Sequence, residues 1–253
     1  MIRKPRHGRE SHDSLEGRPF FLFAGPCVIE SESHALECAR AIAAVASKHK
    51  IPFVYKSSYD KANRSSVKSF RGVGLEKGLA ILAEVRRKVG VPVLTDVHLP
   101  EEAAEAGKVV DVLQVPAFLC RQTDLLVSCG ETGKCVNIKK GQFLSPREMA
   151  GAVEKVRGTG NPNILLTERG TFFGYGRLVV DFSGFPISPS TAARRCSMQP
   201  IRSSSRARSA TGRVAIARVC RSSRARRWRS ASMGSSWKST PIPIGRRATA
   251  RIW

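Results

Sequence analysis

Several cations and hydroxyl groups follow a short apolar run in the segment 56–66. Its charged members are Lys56, Lys61 and Arg64, and its neutral hydrogen-bonding members include Asn63 and Ser65. Ammonium and guanidinium groups form short, charge-assisted hydrogen bonds with phosphates and carboxylates. A loop of this composition, taken alone, is more often a solvated surface, so its chemistry depends on what the fold brings to it.

Further cations follow three later apolar runs. Arg121 follows the segment 116–118, Lys139 and Lys140 stand at the end of the run 135–139, and Arg169 comes just after the run 164–167. If these runs are parallel strands of one barrel, their carboxyl ends form a single catalytic rim. Four points of the chain would then deliver positive charge to one place, which is what two anionic substrates require.

The elements that must position these residues alternate between two patterns. Short β-branched runs predict strands at 20–24, 53–56, 91–96, 112–115, 135–139 and 164–167. Longer amphipathic segments predict helices at 33–49, 75–89, 100–106 and 146–157, with Ser33 as the first N-cap. This alternation predicts an α/β fold, a (β/α)8 TIM barrel, in which strands 1–6 are recognisable and strands 7–8 are lost.

Polar or charged residues stand at the predicted carboxyl end of each strand. They are Cys27, Lys56, Asp96, Gln114, Lys139 and Arg169. A strand that only fills a core has no reason to end in charge so often, so these residues are predicted to form the catalytic rim.

The motifs at these positions resemble one family, the 3-deoxy-D-manno-octulosonate 8-phosphate synthases. The matching segments are 25–30, 56–66, 95–98, 114–118, 121–124, 136–140 and 168–170, within a region that covers residues 19–187. The resemblance implies a transferase that condenses phosphoenolpyruvate with arabinose 5-phosphate for lipopolysaccharide (Kdo) biosynthesis. It also implies a cytoplasmic homotetramer with small-molecule substrates.

The resemblance assigns roles to individual residues. It implies that Lys61, Asn63 and Asp96 are catalytic. Lys56 and Lys61 are implied to contact phosphoenolpyruvate, whose phosphate is held by Lys139 and Arg169 and lies near Gln114, Ala117, Phe118 and Arg121. Asn63, Arg64 and Ser65 are implied to hold arabinose 5-phosphate, and His98 lies with Asp96 on the floor of the site, although a lone histidine is more often structural.

Two features separate this resemblance from its alternatives. The sister family, the 3-deoxy-heptulosonate 7-phosphate synthases, typically has Lys-Pro-Arg-Thr/Ser where this chain has Lys-Ala-Asn-Arg-Ser at 61–65. Cys27 stands where the metal-dependent class has a cysteine, which implies a divalent Zn, Fe or Mn ion. That ion's other ligands in the family, a His, a Glu and an Asp after the last two strands, are absent from the sequence as written.

The charge of the chain is concentrated in its last quarter. The net charge is +23, yet all 20 acidic residues lie at or before Asp181 and sixteen of the 43 basic residues follow Ser188. A basic nucleic-acid-binding protein with a disordered Arg/Ser-rich tail is therefore an alternative, although the tail has no sustained Arg-Gly or Arg-Ser repeat. The sequence predicts no membrane span, and seven cysteines without a CxxC pair indicate reduced thiols.

The segment 188–253 has neither helical nor strand periodicity, so we expect no helix or strand there. With codons that the genetic code permits, 233–246 can be written so that a shift of one base gives Gly-Val-Phe-Met-Glu-Val-His-Pro-Asp-Pro-Asp-Arg-Ala, a well-formed strand end. We therefore infer a frameshift near 188–192. The predicted organisation is a flexible arm at 1–18, a partial barrel at 19–187 and a frameshifted, disordered tail at 188–253, with two open barrel edges and a chain inactive as written.

Overall fold

The computed structural model describes residues 21–180 and the backbone of two further strands, 194–197 and 212–217. The arm predicted at 1–18 lies outside the described residues, as does most of the tail predicted at 188–253. No helix of the described part is long and apolar enough to cross a membrane.

Six strands alternate with five helices through the described part. The strands are β1 (Phe21–Pro26), β2 (Phe53–Lys56), β3 (Val93–Asp96), β4 (Val112–Val115), β5 (Cys135–Lys139) and β6 (Ile164–Glu168). The helices are α1 (Glu32–Lys48), α2 (Leu75–Val89), α3 (Pro100–Val109), α4 (Thr123–Glu131) and α5 (Met149–Arg157), with one 3-10 turn at Ala117–Leu119.

The six strands form a parallel sheet in chain order, each paired with the next. Parallel strands connected by helices bury both faces of the sheet, which is why these strands read as near-continuous apolar runs. One face packs on the helices, and the other forms the interior of a curled half-barrel. The prediction of a partial (β/α)8 TIM barrel is confirmed.

The bounds of three helices differ from the predictions: α1 is displaced by one residue toward the N-terminus, α3 ends at Val109 rather than at 106, and α5 begins at Met149 rather than at 146. The N-cap of α1 is Ser31, not Ser33, because the Ser31 side chain accepts the amide of His34 at 3.2 Å from an extended backbone. Helix α4 was not predicted from the sequence. It is only nine residues long and places Gly130 against Thr159, so close packing on α5 stabilises it rather than a long apolar stripe.

Two further strands lie in the segment 188–253, where the sequence predicts none. β9 (Arg194–Ser197) pairs in parallel with β6, as a seventh barrel strand would. β10 (Gly212–Ala217) pairs antiparallel with β1, which is opposite to the direction of an eighth barrel strand. Both edges predicted to be open are therefore paired. Edge pairing uses backbone groups alone, so a segment without side-chain periodicity can supply it.

A two-stranded hairpin follows β6. Its strands are β7 (Thr171–Phe172) and β8 (Leu178–Val179), paired antiparallel. The amide of Phe172 donates to the carbonyl of Gln142 at 3.1 Å, which ties the hairpin to the loop after β5. The hairpin was not predicted because its strands are only two residues long.

Candidate active site

The inward face of the half-barrel has two layers. The lower layer is a cluster of buried apolar side chains: Phe21, Phe23, Val54, Leu94, Val112 and Leu165. The upper layer is polar and lies two residues further along β2, β3, β4 and β6, and two and four residues beyond Cys135 in β5: Lys56, Asp96, Gln114, Asn137, Lys139 and Thr167. Side chains two positions apart share one face of a strand, so the strand period places the polar layer at the carboxyl ends.

Asp96, at the end of β3, is the centre of the polar layer. Its Oδ2 atom accepts from Lys61 Nζ at 3.1 Å and from the Ser58 hydroxyl at 2.9 Å, and Lys56 Nζ lies 3.7 Å away. The two ammonium groups also donate to Ser58 Oγ, Lys56 at 2.8 Å and Lys61 at 2.7 Å. One carboxylate oxygen therefore interacts with side chains from both the end of β2 and the loop that follows it.

The other carboxylate oxygen of Asp96 faces the later strands. Oδ1 accepts from the side-chain amide of Gln114, and Lys139 Nζ lies 3.5 Å from it. Three of the predicted cations, Lys56, Lys61 and Lys139, thus surround a single buried acid. The structure brings these predicted site residues together in one place, although their sequence positions span more than eighty residues.

The electrostatics of this cluster favour an ionised acid. Burial raises the pKa of the Asp96 carboxyl, but the ammonium groups of Lys139, Lys56 and Lys61 outweigh burial and hold the pKa well below its usual value. The carboxylate is therefore the internal counter-ion of the lysines.

The lysines are not equivalent. Burial lowers the pKa of Lys56 well below its usual value and also lowers that of Lys139, and neighbouring cations act in the same direction. Burial lowers the pKa of Lys61 too, but its contact with Asp96 prevails and the pKa is raised. One carboxylate does not satisfy three buried ammonium groups, so an incoming anion is electrostatically favoured.

The remaining polar side chains of the layer form a chain that ends on Asp96. Thr167 Oγ1 donates to Asn137 Oδ1 at 2.7 Å, and Asn137 Nδ2 donates to Gln114 Oε1 at 3.0 Å. Asn137 and Thr167 were missed in the sequence analysis, as was Ser58. The signal for Asn137 was its position two residues before Lys139, since both side chains then face the barrel interior.

The loop after β2 carries the predicted arabinose 5-phosphate contacts. Asn63, Arg64 and Ser65 are all exposed, and Arg64 Nε donates to the carbonyl of Phe70 at 3.3 Å. Lys61, at the base of the same loop, is the residue that reaches Asp96. The loop therefore begins inside the cationic cluster and ends in solvent.

The segment after β4 is only partly in the cluster. Gln114 and Ala117 are buried, whereas Phe118 is half exposed and Arg121 is exposed. Arg121 acts electrostatically on Glu148, whose pKa is lowered first by the backbone amide of Ser145 and only last by this guanidinium. The structure thus places Arg121 beside the loop that precedes α5 rather than among the lysines around Asp96.

Arg169 interacts with the cluster, whereas His98 contacts Tyr59 and Glu102. Arg169 follows β6 and is one of the cations that lower the pKa of Lys139, so its guanidinium lies near that ammonium group. The His98 ring packs edge to face on Tyr59 at 5.8 Å, and its backbone amide donates to Glu102 at 2.8 Å. These contacts fit a structural role for the His98 side chain.

Lys140 does not belong to the cluster, contrary to the expectation that it joins Lys139. Its Nζ donates to the carbonyls of Gly141 at 3.1 Å, Leu144 at 3.2 Å and Gly170 at 3.4 Å. Adjacent residues at a strand end point to opposite faces, so Lys140 turns away from the barrel interior. It joins the loop after β5 to the loop that carries Arg169.

The comparison with protein families decides the assignment of the chain. A family model described as the DAHP synthetase I family matches residues 12–197, about three quarters of the chain. The chain belongs to the DAHP synthetase I family. The match includes all six parallel strands of the half-barrel and extends through β9.

Curated relatives of this family member are named 2-dehydro-3-deoxyphosphooctonate aldolase. The protein of Koribacter versatilis is 61% identical over 173 residues, which cover 68% of this chain and 62% of the relative. The protein of Syntrophobacter fumaroxidans is 61% identical over 168 residues, covering 66% and 58%. That of Citrifermentans bemidjiense is 55% identical over 175 residues, covering 69% and 64%. The chain thus spans about three fifths of the length of these relatives.

The described residues of this DAHP synthetase I family member do not by themselves make a metal site. Between 21 and 180, no three His, Cys, Asp or Glu side chains are arranged to hold an ion. Cys27 is buried near two cations, Lys56 and Lys61, on whose pKa values it acts. The further ligands implied by the resemblance, a His, a Glu and an Asp, do not occur in the sequence after residue 187 as written.

Proposed function

We propose that the complete enzyme condenses phosphoenolpyruvate with D-arabinose 5-phosphate and water to give 3-deoxy-D-manno-octulosonate 8-phosphate and inorganic phosphate. The observation that carries the proposal is the group of three lysines around Asp96 at the carboxyl ends of the strands, with side chains that are 11–13% exposed. Two anionic substrates repel each other in water, and a preorganised set of cations both offsets that repulsion and orients them.

Lys139 and Arg169 are proposed to hold the phosphate of phosphoenolpyruvate. The two cations are close enough for Arg169 to lower the pKa of Lys139, and we infer that they share one phosphate-binding space. A phosphate dianion in that space interacts with both charges at once. Lys56 and Lys61, on the other side of Asp96, are then placed for the carboxylate of the same substrate.

Arabinose 5-phosphate is proposed to enter along the loop after β2. The exposed side chains of Asn63, Arg64 and Ser65 can meet the sugar phosphate in solvent, while Lys61 reaches the buried end of the cluster. The aldehyde carbon of the sugar would then lie next to the bound phosphoenolpyruvate. The exposed guanidinium of Arg64 supplies the charge for the terminal phosphate.

In the proposed reaction, C3 of phosphoenolpyruvate attacks the aldehyde carbon and forms the new C–C bond. Water adds at C2, the aldehyde oxygen becomes a hydroxyl, and inorganic phosphate leaves with cleavage of its C–O bond. Lys61 is placed to donate a proton to the developing alkoxide, and Asp96 stabilises its charged form. The name of the relatives, 2-dehydro-3-deoxyphosphooctonate aldolase, supports this choice of product.

The related 3-deoxy-heptulosonate 7-phosphate synthesis uses a shorter acceptor sugar. The names of the relatives and the loop 61–65 both favour the octulosonate product over that alternative. By the same resemblance we propose a cytoplasmic homotetramer. Cys27 is proposed as one ligand of a divalent ion whose other ligands, absent from the sequence as written, would come from the restored reading frame.

The assay that tests the function compares two proteins. One is the full chain as written, and the other has the reading frame restored after 188–192. We expect the restored protein to release phosphate with arabinose 5-phosphate and the chain as written to be inactive. Faster turnover with erythrose 4-phosphate, or no turnover by a restored protein that melts cooperatively, would contradict the proposal.

A further inference from the structure

The side chains of Thr167, Asn137 and Gln114 link three neighbouring strands to Asp96. Each is almost fully buried, with an exposed fraction of 2% for Thr167, 0% for Asn137 and 1% for Gln114. The contacts run from β6 to β5, from β5 to β4 and from β4 to the carboxylate at the end of β3. None of these bonds is part of the backbone ladder.

The direction of this chain follows from the charge at its end. An ionised carboxylate has no proton and can only accept hydrogen bonds, so Gln114 must present Nε2 to Asp96. Its Oε1 atom is then the acceptor for Asn137, which must donate through Nδ2. The Oδ1 atom of Asn137 in turn requires a donor, and the hydroxyl of Thr167 provides it. Every bond therefore donates toward the acid.

The end of the chain fixes the rotation of the Asp96 carboxyl group. Gln114 holds Oδ1, which leaves Oδ2 facing Ser58 and Lys61. If the carboxyl group turned, the ammonium groups that share Asp96 would lose their common partner. Buried polar chains of this kind are cooperative, because an amide left with one unpaired end carries a full desolvation cost.

We propose that Thr167, Asn137 and Gln114 are positioning residues that act through Asp96 to fix the lysines that bind substrate. The proposal rests on the function proposed above, since it is phosphoenolpyruvate binding that the lysines serve. In this proposal Gln114 acts through Asp96, to which it donates one of its two amide hydrogens. Asn137 and Thr167 act without direct contact with a substrate.

Thr167→Val tests the chain at the end furthest from Asp96. Valine has the shape of threonine without the hydroxyl, so Asn137 Oδ1 loses its donor while packing is kept. Thr167→Ser retains the hydroxyl and is the rescue variant. The matched control is Thr95→Val on β3, because the buried Thr95 hydroxyl has no hydrogen-bond partner among the described residues.

Two readouts, both on the protein with the reading frame restored after 188–192, separate this proposal from the proposed function. The first is the side-chain amide NMR signals of Asn137 and Gln114, which need no ligand. We expect Thr167→Val to shift both pairs, although Thr167 contacts only Asn137, and we expect Thr167→Ser and Thr95→Val to leave the Gln114 pair in place. Unshifted Gln114 signals in Thr167→Val would show that Thr167 and Gln114 are not coupled through the hydrogen-bond chain.

The second readout is the Kd for phosphoenolpyruvate from titration calorimetry. Loss of one neutral hydrogen bond in the chain should raise Kd about fivefold in Thr167→Val, with Thr167→Ser and Thr95→Val close to wild type. Wild-type affinity in Thr167→Val would overturn the positioning role. If Thr167→Val shifts the amide signals but the wild-type protein does not bind phosphoenolpyruvate, the proposed function is contradicted. The hydrogen-bond chain from Thr167 to Asp96 is then still supported.

Thr167→Cys serves if Thr167→Val loses its cooperative melt. It keeps the size of the side chain and replaces the hydroxyl by a weak S–H donor. We expect the same shift of the Gln114 signals and a smaller rise in Kd, and an unchanged Gln114 pair in this variant would also reject the chain.

Discussion

Lys61 donates to the Oδ2 atom of Asp96 at 3.1 Å and so joins the loop after β2 to the end of β3. The contact makes one residue both a partner of the buried acid and the first member of the loop that carries Arg64. A ligand that draws Lys61 toward itself competes with Asp96 for the same ammonium group. The stability of the fold and the affinity for anions are therefore coupled at this pair.

Asp96→Asn should lower the free energy of unfolding. The substitution keeps the size of the side chain but leaves three buried ammonium groups without their counter-ion, so we expect a loss of about 3 kcal/mol at pH 7. Urea unfolding measures it. Glu105→Gln is the control, because the Glu105–Lys108 pair is exposed and should contribute little. An equal effect of both substitutions would argue against Asp96 as a buried counter-ion.

The acid dependence of stability follows from the same carboxyl. The folded-state pKa of Asp96 lies well below its usual value, so its contribution is fully present above the unfolded pKa of about 3.9 and is lost as the pH falls through the folded pKa. Wild type and Asp96→Asn should therefore differ in stability at neutral pH and converge in strong acid. Urea titrations across that range measure the difference, and a constant difference would contradict the assignment.

Lys139→Met and Lys140→Met should separate function from stability at neighbouring positions. Lys139→Met removes a charge that faces the substrate space, so Kd for phosphoenolpyruvate should rise by a factor of about 30, equivalent to about 2 kcal/mol, with little loss of stability. Lys140→Met removes donors to three buried carbonyls and should cost about 3 kcal/mol of folding free energy. Calorimetry and urea unfolding of both variants provide the comparison.

Lys108→Met is the control for the removal of a lysine charge, because Lys108 is exposed. It should change neither the Kd for phosphoenolpyruvate nor the free energy of unfolding. If Lys139→Met and Lys140→Met shift the same quantity to the same extent, the two lysines do not face opposite sides of the strand.

Phosphoenolpyruvate binding should take up protons. The pKa values of Lys56 and Lys139 are lowered in the unliganded protein, and a bound anion raises them again. Between the lowered and the restored pKa, binding adds protons, so affinity should fall as the pH rises through that range. Calorimetry in buffers of different ionisation enthalpy measures the uptake, and binding heats that do not depend on the buffer would contradict it.

Gly25→Ala should disturb the cluster through the backbone. A Cβ atom at Gly25 would overlap the carbonyl oxygen of Lys56, and this atom is held in the sheet. We expect a loss of about 2 kcal/mol or more in folding free energy and weaker anion binding. Gly151→Ala in α5 is the matched control, since its Cβ meets open space and should stabilise the helix by up to about 1 kcal/mol. Equal thermal midpoints in the two variants would exclude the overlap.

The strands were predictable because a strand that is buried on both faces is a near-continuous run of apolar residues in the sequence. β2, β4 and β5 have the predicted bounds, and α2 does as well. The site was only partly predictable. Sequence motifs located Lys56, Lys61 and Lys139, but their shared dependence on Asp96 arises from loop conformations and strand register that no local pattern encodes. The period of two within β5 would have separated Lys139 from Lys140.

The pairing of β9 and β10 with the edges was not predictable for a different reason. Strand prediction reads side-chain alternation, whereas an edge strand needs only backbone donors and acceptors. β10 illustrates the point, since its antiparallel direction is one that barrel topology alone would not suggest.

The two inward layers imply a division of tolerance along each strand. Replacing Leu94 or Val112 with another aliphatic residue should be tolerated through repacking, because the lower layer requires only apolar side chains of suitable volume. Two steps further on, at Asp96 or Gln114, even a substitution of equal size removes a specific charge or hydrogen. A saturation scan of the inward-facing positions should therefore find many tolerated substitutions in the lower layer and few in the upper layer. The layer in which a residue lies should predict the effect of a substitution better than the chemical similarity of the new side chain does.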